Sequence, residues 1–210
     1  MRSPKGKSPT LTTRRLTLRA PTAKDAEAFR AILCVPEVTR YSNWPDAPDK
    51  TQGARFMTAM AKLHPSGKGC GWIIEVRASK RLIGAIRYNR FDKQAHAGEI
   101  GYELHPHFWG KGLMSEALAA IVDYGHDTLL LNRIEAWTLA GNPASDRVLE
   151  KTGFRYEGTL RGKMRFKGAY HDLRIFARIV EDPRSIQDVR SQFAMSVESL
   201  KTEPGTGPAE

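Results

Sequence analysis

Trp109-Gly110-Lys111-Gly112 sits between a segment of alternating apolar residues and a segment of helical period, and here the sequence is best equipped for chemistry. Glu99 to Leu104 reads as a strand with Ile100, Tyr102 and Leu104 on one face. Leu113, Met114, Ala117, Leu118, Ile121 and Val122 then recur at helical spacing. A helix start leaves backbone N–H groups without intrahelical acceptors, and the aligned peptide dipoles place about half a positive charge there. Glycines beside such an end let a ligand approach the backbone closely. The chemistry this suits is the binding of a phosphate or pyrophosphate. The P-loop is ruled out, since no Lys-Ser/Thr pair follows a second glycine at its spacing. G-x-G-x-x-G is incomplete, because only Gly110 and Gly112 are present.

Titratable groups surround this turn. Glu99 and Glu103 lie four positions apart on one strand, so both carboxylates project from the face opposite Ile100, Tyr102 and Leu104. His105 and His107 follow with intrinsic pKa values suited to proton transfer, although loop histidines more often serve as polar groups. Downstream, Asn142-Pro143-Ala144-Ser145 opens a helix, with Asn as cap and Pro at the first helical position. No metal site is expected, because His64, His96, His105, His107, His126 and His171 show neither HExxH nor cysteine pairing. A serine hydrolase lacks its Gly-x-Ser-x-Gly elbow.

Two longer runs carry a family resemblance. Glu99-Ile100-Gly101-Tyr102-x-Leu104-x-Pro106-x-x-Trp109-Gly110-Lys111-Gly112, followed by Ser115-Glu116-Ala117, resembles motif A of the GNAT N-acetyltransferases, and within them the branch of ribosomal-protein alanine N-acetyltransferases and their relatives. Trp109 replaces the polar first residue of the general motif, and Met114 its small last residue. Asn142, Ser145, Val148, Leu149, Glu150-Lys151 and Gly153-Phe154 resemble motif B, and the Thr13 to Arg19 run resembles the opening of that branch. The likeness covers residues 11–180. It implies an α/β (α+β) GNAT fold: a mixed, mostly antiparallel central sheet flanked by helices and split between two parallel central strands. It implies acetyl-CoA as cosubstrate, bound at Trp109, Gly110, Lys111, Gly112, Leu113 and Met114, with Asn142 and Ser145 also near the cofactor.

The implied reaction is direct acetyl transfer to a primary amine in a ternary complex. By resemblance, a backbone N–H near Leu104 polarises the thioester carbonyl where the parallel strands splay, an oxyanion-type contribution. The demand for a base depends on the acceptor. A protein α-amine, with a pKa of roughly 8, is about one tenth neutral at pH 7, whereas a lysine at roughly 10.4 is neutral about once in a few thousand molecules. Glu99 is the expected base, since a carboxylate early in this strand recurs in the family. Many members use a motif-B tyrosine to protonate the thiolate; Leu149 stands there instead, and Ser145 resembles the serine given that role in the ribosomal branch. The acceptor pocket falls on the variable loops over 36–66 and 160–171, where Tyr41 and Trp44 could line it.

The rest of the chain frames these segments. Its 210 residues suit one domain. Residues 1–10 are expected to be a flexible basic segment, 11–180 the catalytic domain, 181–201 an amphipathic helix and 202–210 a disordered tail. Arg15 to Arg19, Gly71 to Val76, Leu82 to Tyr88 and Arg133 to Thr138 read as strands, and Phe154 to Leu160 with Asp172 to Ile179 as a closing hairpin. Helix starts fall at Thr22/Asp25 and Asp49. No run approaches the roughly 20 apolar residues of a membrane span. The basic N-terminus has no apolar core of a secretory signal, and Cys34 and Cys70 form no CxxC, so the expected compartment is the cytoplasm, with no membrane partner. The net charge of +10 fits a solvated surface with a basic entry for an anionic cofactor better than ribosome or nucleic-acid contact, since no recognised nucleic-acid-binding motif accompanies it. The acceptor is expected to be a protein N-terminus, ribosomal or other, on a monomer or homodimer. The rival readings are a small-molecule amine acetyltransferase and a non-catalytic CoA- or RNA/ribosome-binding module.

Overall fold

The structure, a computed structural model, describes residues 6–183. The helix expected over 181–201 falls outside the described residues from 184 onward, as does the tail over 202–210. Strands β1 (Leu11–Thr12) and β2 (Leu16–Arg19) lead into helices α1 (Ala26–Leu33), α2 (Pro36–Thr39) and α3 (Lys50–Leu63). Strands β3 (Cys70–Val76), β4 (Leu82–Asp92) and β5 (Ala97–Leu104) follow, then α4 (Leu113–Asp123), β6 (Arg133–Leu139), α5 (Pro143–Lys151), β7 (Arg155–Phe166) and β8 (Ala169–Ile179). They form one eight-stranded sheet of order β1-β2-β3-β4-β5-β6-β8-β7. Only β5 and β6 pair in parallel; the other neighbours are antiparallel. This is the mixed, mostly antiparallel sheet that the family resemblance implies.

Local chemistry sets the helix starts. Thr22 and Asp25 close a capping box before α1, and Asp49 with Gln52 closes another before α3. Alternation along β3 and β4 sends side chains to two cores. Trp72, Ile74 and Ile86 join the α4 residues Ala117, Leu118, Ile121 and Val122 on one face. Ile73 and Ala85 join Phe29, Leu33, Met57 and Met60 of α1 and α3 on the other. The sheet is thus sandwiched between helices. Gly84 marks a close approach of β4 to β5, since a Cβ there would stand 2.2 Å from the Glu103 carbonyl oxygen.

Within the first ten residues, Gly6 to Pro9 run along the body. His64 Nδ1 lies 2.9 Å from the Gly6 carbonyl oxygen, Gly71 N–H donates to Ser8 Oγ, and Trp72 Nε1–H donates to the Pro9 carbonyl at 2.7 Å. One feature lay beyond periodicity. The helical region of α4 runs on through a π-helical stretch at Tyr124–Thr128, tucked under the buried Tyr88, whose hydroxyl donates to the Ile121 carbonyl.

Candidate active site

The parallel pairing that holds β5 to β6 is short. It runs from Ala97↔Arg133 to Ile100↔Ala136. Beyond that point Gly101 to Leu104 pair with β4 alone, and Trp137 to Leu139 with β8 alone. The two strands therefore part and leave a gap through the sheet. His105 N–H donates to the Ile83 carbonyl, on the β4 side. Antiparallel hydrogen bonding alternates in direction, so the Leu104 amide faces the gap. The Leu104 carbonyl is taken by Trp109 Nε1–H at 2.7 Å. The indole that replaces the usual polar residue thus ties the end of β5 to the turn, and leaves the Leu104 N–H as the group that faces the opening.

The turn itself is backbone chemistry. Gly110 and Gly112 both have φ of +71°, and Gly112 is the residue before α4 with no side chain to cap it. The first intrahelical bond runs from Glu116 N–H to the Gly112 carbonyl. The amides of Leu113, Met114 and Ser115 therefore lack intrahelical acceptors. Gly110, Gly112, Leu113, Met114 and Ser115 all line the cleft, and a Cβ on Gly110 would meet nothing within 4 Å. Leu113 and Met114 bury their side chains in the core and present only backbone here, which is why a methionine can stand where the motif has a small residue. These groups fit a pyrophosphate. The Lys111 ammonium stands 5.6 Å from the Phe108 ring centroid, and the Lys111 carbonyl accepts from Arg15 at 2.9 Å.

Arg15 belongs to an anchor the sequence did not announce. Glu116 Oε1 accepts from Thr13 Oγ1 at 2.6 Å and from the Arg15 backbone N–H at 2.7 Å, while Arg15 Nε donates to Glu116 Oε2 at 2.6 Å. Burial pushes the Glu116 carboxyl up, but the hydrogen bonds from Thr13 and Arg15 outweigh it and hold the group below the usual glutamate value. The turn before β2 thereby pins the first turn of α4.

A continuous cleft of about 1230 Å³ joins the glycine turn, the gap and the loop after α2. Glu99, Leu104, Trp109, Asn142 and Ser145 all line it. Asn142 Oδ1 accepts from Ser145 N–H, capping α5 as the sequence indicated, and Ser145 Oγ lies 2.7 Å from the Tyr102 hydroxyl oxygen. Leu149 is fully buried in the core. His105 Nδ1 accepts from His107 N–H and so organises the loop before the turn.

The two strand carboxylates differ sharply in surroundings. Glu103 is buried and saturated: Arg87 donates to both its oxygens at 2.6 and 2.9 Å, and Trp44 Nε1–H adds a third bond at 3.0 Å. Arg87 also stacks 5.1 Å from the Phe56 ring centroid, and Trp44 meets Phe56 edge to face. Trp44 is thus a packing residue, while Tyr41 lines the cleft. Glu99 keeps more freedom, accepting from Arg90 Nε at 3.0 Å and from Asn89 Nδ2 at 3.3 Å. Asn89 sits where the β4–β5 register shifts. On the far side Lys167, in the β7–β8 turn, donates to the Thr39 carbonyl at 2.9 Å and pairs with Asp46. The loop after α2 is therefore held from below by Glu103 and from across by Lys167. Both signals are pairings between distant elements, which no spacing rule exposes.

Arg15 to Arg155 match the sequence profile of the "Acetyltransferase (GNAT) domain". The chain is 38% identical over 169 residues to the uncharacterized N-acetyltransferase YoaA of Bacillus subtilis strain 168, covering 80% of this chain and 96% of that one. It is 29% identical over 139 residues to the ribosomal-protein-serine acetyltransferase of Escherichia coli K12, covering 66% and 77%. In three dimensions it resembles RimL, a ribosomal L7/L12 α-N-protein acetyltransferase solved with coenzyme A, with a TM-score of 0.75 at 23% identity over 82% of this chain and 99% of that one. Among the described residues no helix is long and apolar enough to cross a membrane. A sheet parted between two parallel strands, a glycine turn at a helix start and this sequence profile agree: the chain belongs to the GNAT family of acetyl-CoA-dependent acetyltransferases.

Proposed function

We propose that this protein transfers acetyl from acetyl-CoA directly to the α-amine of a protein N-terminus, with donor and acceptor bound together. The observation that carries this reading is the gap between β5 and β6. It connects the face bearing the glycine turn with the face bearing the loop after α2, so an amine can reach a thioester without an acyl-enzyme intermediate. The amides of Leu113, Met114 and Ser115 hold the pyrophosphate charge at the helix start. The Leu104 N–H stabilises the oxyanion that forms when the amine nitrogen attacks the carbonyl carbon. Glu99, steadied by Arg90, takes the proton that the new C–N bond displaces, directly or through water. As the C–S bond breaks, Ser145 donates a hydrogen bond to the departing sulphur; a thiol with a pKa of roughly 8.5 leaves without a strong acid.

An α-amine suits this site because roughly a tenth of it is already neutral at pH 7, so a single carboxylate suffices. The sequence similarity to the ribosomal-protein-serine acetyltransferase favours a ribosomal acceptor within that class, and the basic balance of the chain is compatible with such a partner. The test is acetyl-CoA-dependent thiol release with peptides beginning with Ala, Ser or Met, beside their N-terminally blocked forms and a set of polyamines and amino acids. Turnover with free N-termini and none with blocked ones is the expected result. Turnover confined to small amines would replace the acceptor class, and tight acetyl-CoA binding with no turnover on any amine would favour a binding module.

A further inference from the structure

Tyr102 lies on the apolar face of β5, yet its hydroxyl leaves that strand and ends on α5, across the parted strands. The phenol oxygen stands 2.7 Å from Ser145 Oγ and 3.4 Å from the Ser145 carbonyl oxygen. Both residues line the cleft. Leu149, one turn further along α5, is fully buried and offers no hydroxyl, so of these two motif-B positions Ser145 is the one that brings a hydroxyl to the cleft. An isolated serine hydroxyl rotates freely and spends its proton on whichever acceptor is nearest, including the carbonyls of its own helix.

We infer that Tyr102 is a positioning residue that fixes the direction of the Ser145 proton: its phenol donates to Ser145 Oγ, leaving the serine O–H free to point at the thioester sulphur. The inference rests on the transfer chemistry proposed above. A phenol is more acidic than an aliphatic alcohol, so it is the better donor of the pair. A serine that accepts such a bond is polarised into a stronger donor itself. Burial pushes the Tyr102 phenol above its usual value, opposed by the Ser145 hydrogen bond and reinforced by the Asp146 charge. The phenol therefore stays protonated across the working pH range and keeps its proton throughout. The nearby Asp146 carboxylate does not compete for it, being engaged by Thr138 Oγ1 at 2.6 Å and Arg174 Nε at 3.1 Å. In the balance of the step, the C–S electron pair goes to sulphur, Ser145 steadies the thiolate by a hydrogen bond, and the proton released from the amine neutralises it through solvent. No group on Tyr102 is consumed.

The experiment is a double-mutant cycle of wild type, Tyr102→Phe, Ser145→Ala and the combined variant, with kcat and the KM for acetyl-CoA measured on one acceptor peptide. Each single variant is expected to lose about tenfold in kcat, with KM for acetyl-CoA changed less than about twofold. The combined variant should be no slower than Ser145→Ala, because the two act as one unit. An acetyl thioester with a more acidic leaving thiol should narrow the deficit of Tyr102→Phe, an effect that a merely packed tyrosine would not give. Tyr102→Phe at wild-type kcat, or losses that multiply in the combined variant, would overturn the inference while leaving the transfer reading intact. Absence of transfer by the wild type would overturn both.

Discussion

At the glycine-turn end of the cleft the groups we assign to the cofactor come from one short run, Trp109 to Ser115, and they are mostly backbone amides. At the other end the loop after α2 is held from five places in the chain: Trp44, Phe56, Arg87, Glu103 and Lys167, all acting through side chains. A backbone site tolerates side-chain change as long as the turn keeps its shape, which fits the buried Met114 at the last position of the motif. A site assembled from ion pairs and rings does not. One end therefore rests on backbone geometry, the other on pairings between side chains far apart in the chain.

Variants can break this comparison. The largest effect is expected from Glu103→Ala, which strands the half-buried Arg87 guanidinium and should cost about 3 kcal/mol in urea unfolding. In the folded fraction the KM for the amine should rise while acetyl-CoA affinity holds; an equal loss of both would erase the division between the two ends. Next comes Gly112→Val. A β-branched residue at φ of +71° stores about 1–3 kcal/mol of strain. Calorimetry should show acetyl-CoA binding weakened by about tenfold or more, with the amine KM little altered.

The Glu116 anchor gives a smaller, pH-dependent effect. Its carboxyl is held below the usual value in the folded protein, so its contribution to stability is complete above the unfolded pKa of about 4.3 and is lost as pH falls through the folded value. Between pH 6 and pH 3, Glu116→Gln should lose less thermal stability than wild type. Parallel curves would show that the Thr13–Arg15 anchor carries no linkage. The smallest effect belongs to Lys167→Met. Asp46 is largely exposed, so the ion pair should be worth less than about 1 kcal/mol, and the readout is a modest rise in amine KM.

The sequence showed the two ends unequally, for the same reason. The turn, the strand before it, the Asn142 cap and the capping boxes at Thr22 and Asp49 are local in the chain, and period and residue type expose them. The parting of two parallel central strands came through family resemblance, and the order of the sheet only through the fold, because strand neighbours cannot be read from spacing. Periodicity put Tyr102 on an apolar face and could not show that its hydroxyl reaches α5. It also paired Glu99 with Glu103 on one face, without revealing that Arg87 and Trp44 occupy one carboxylate and leave the other more open. The Glu116 anchor joins residues about a hundred positions apart, and only the fold brings them together.

The central claim is that one continuous cleft holds donor and acceptor on opposite faces of the sheet, meeting at the gap. A conjugate that joins CoA sulphur to the N-terminal nitrogen of an acceptor peptide through a two-carbon bridge tests it most directly. Such a ligand occupies both halves at once, so it should compete with acetyl-CoA and with the peptide, and bind at least about 100-fold more tightly than CoA alone. Affinity no better than that of CoA, or competition with acetyl-CoA only, would contradict it.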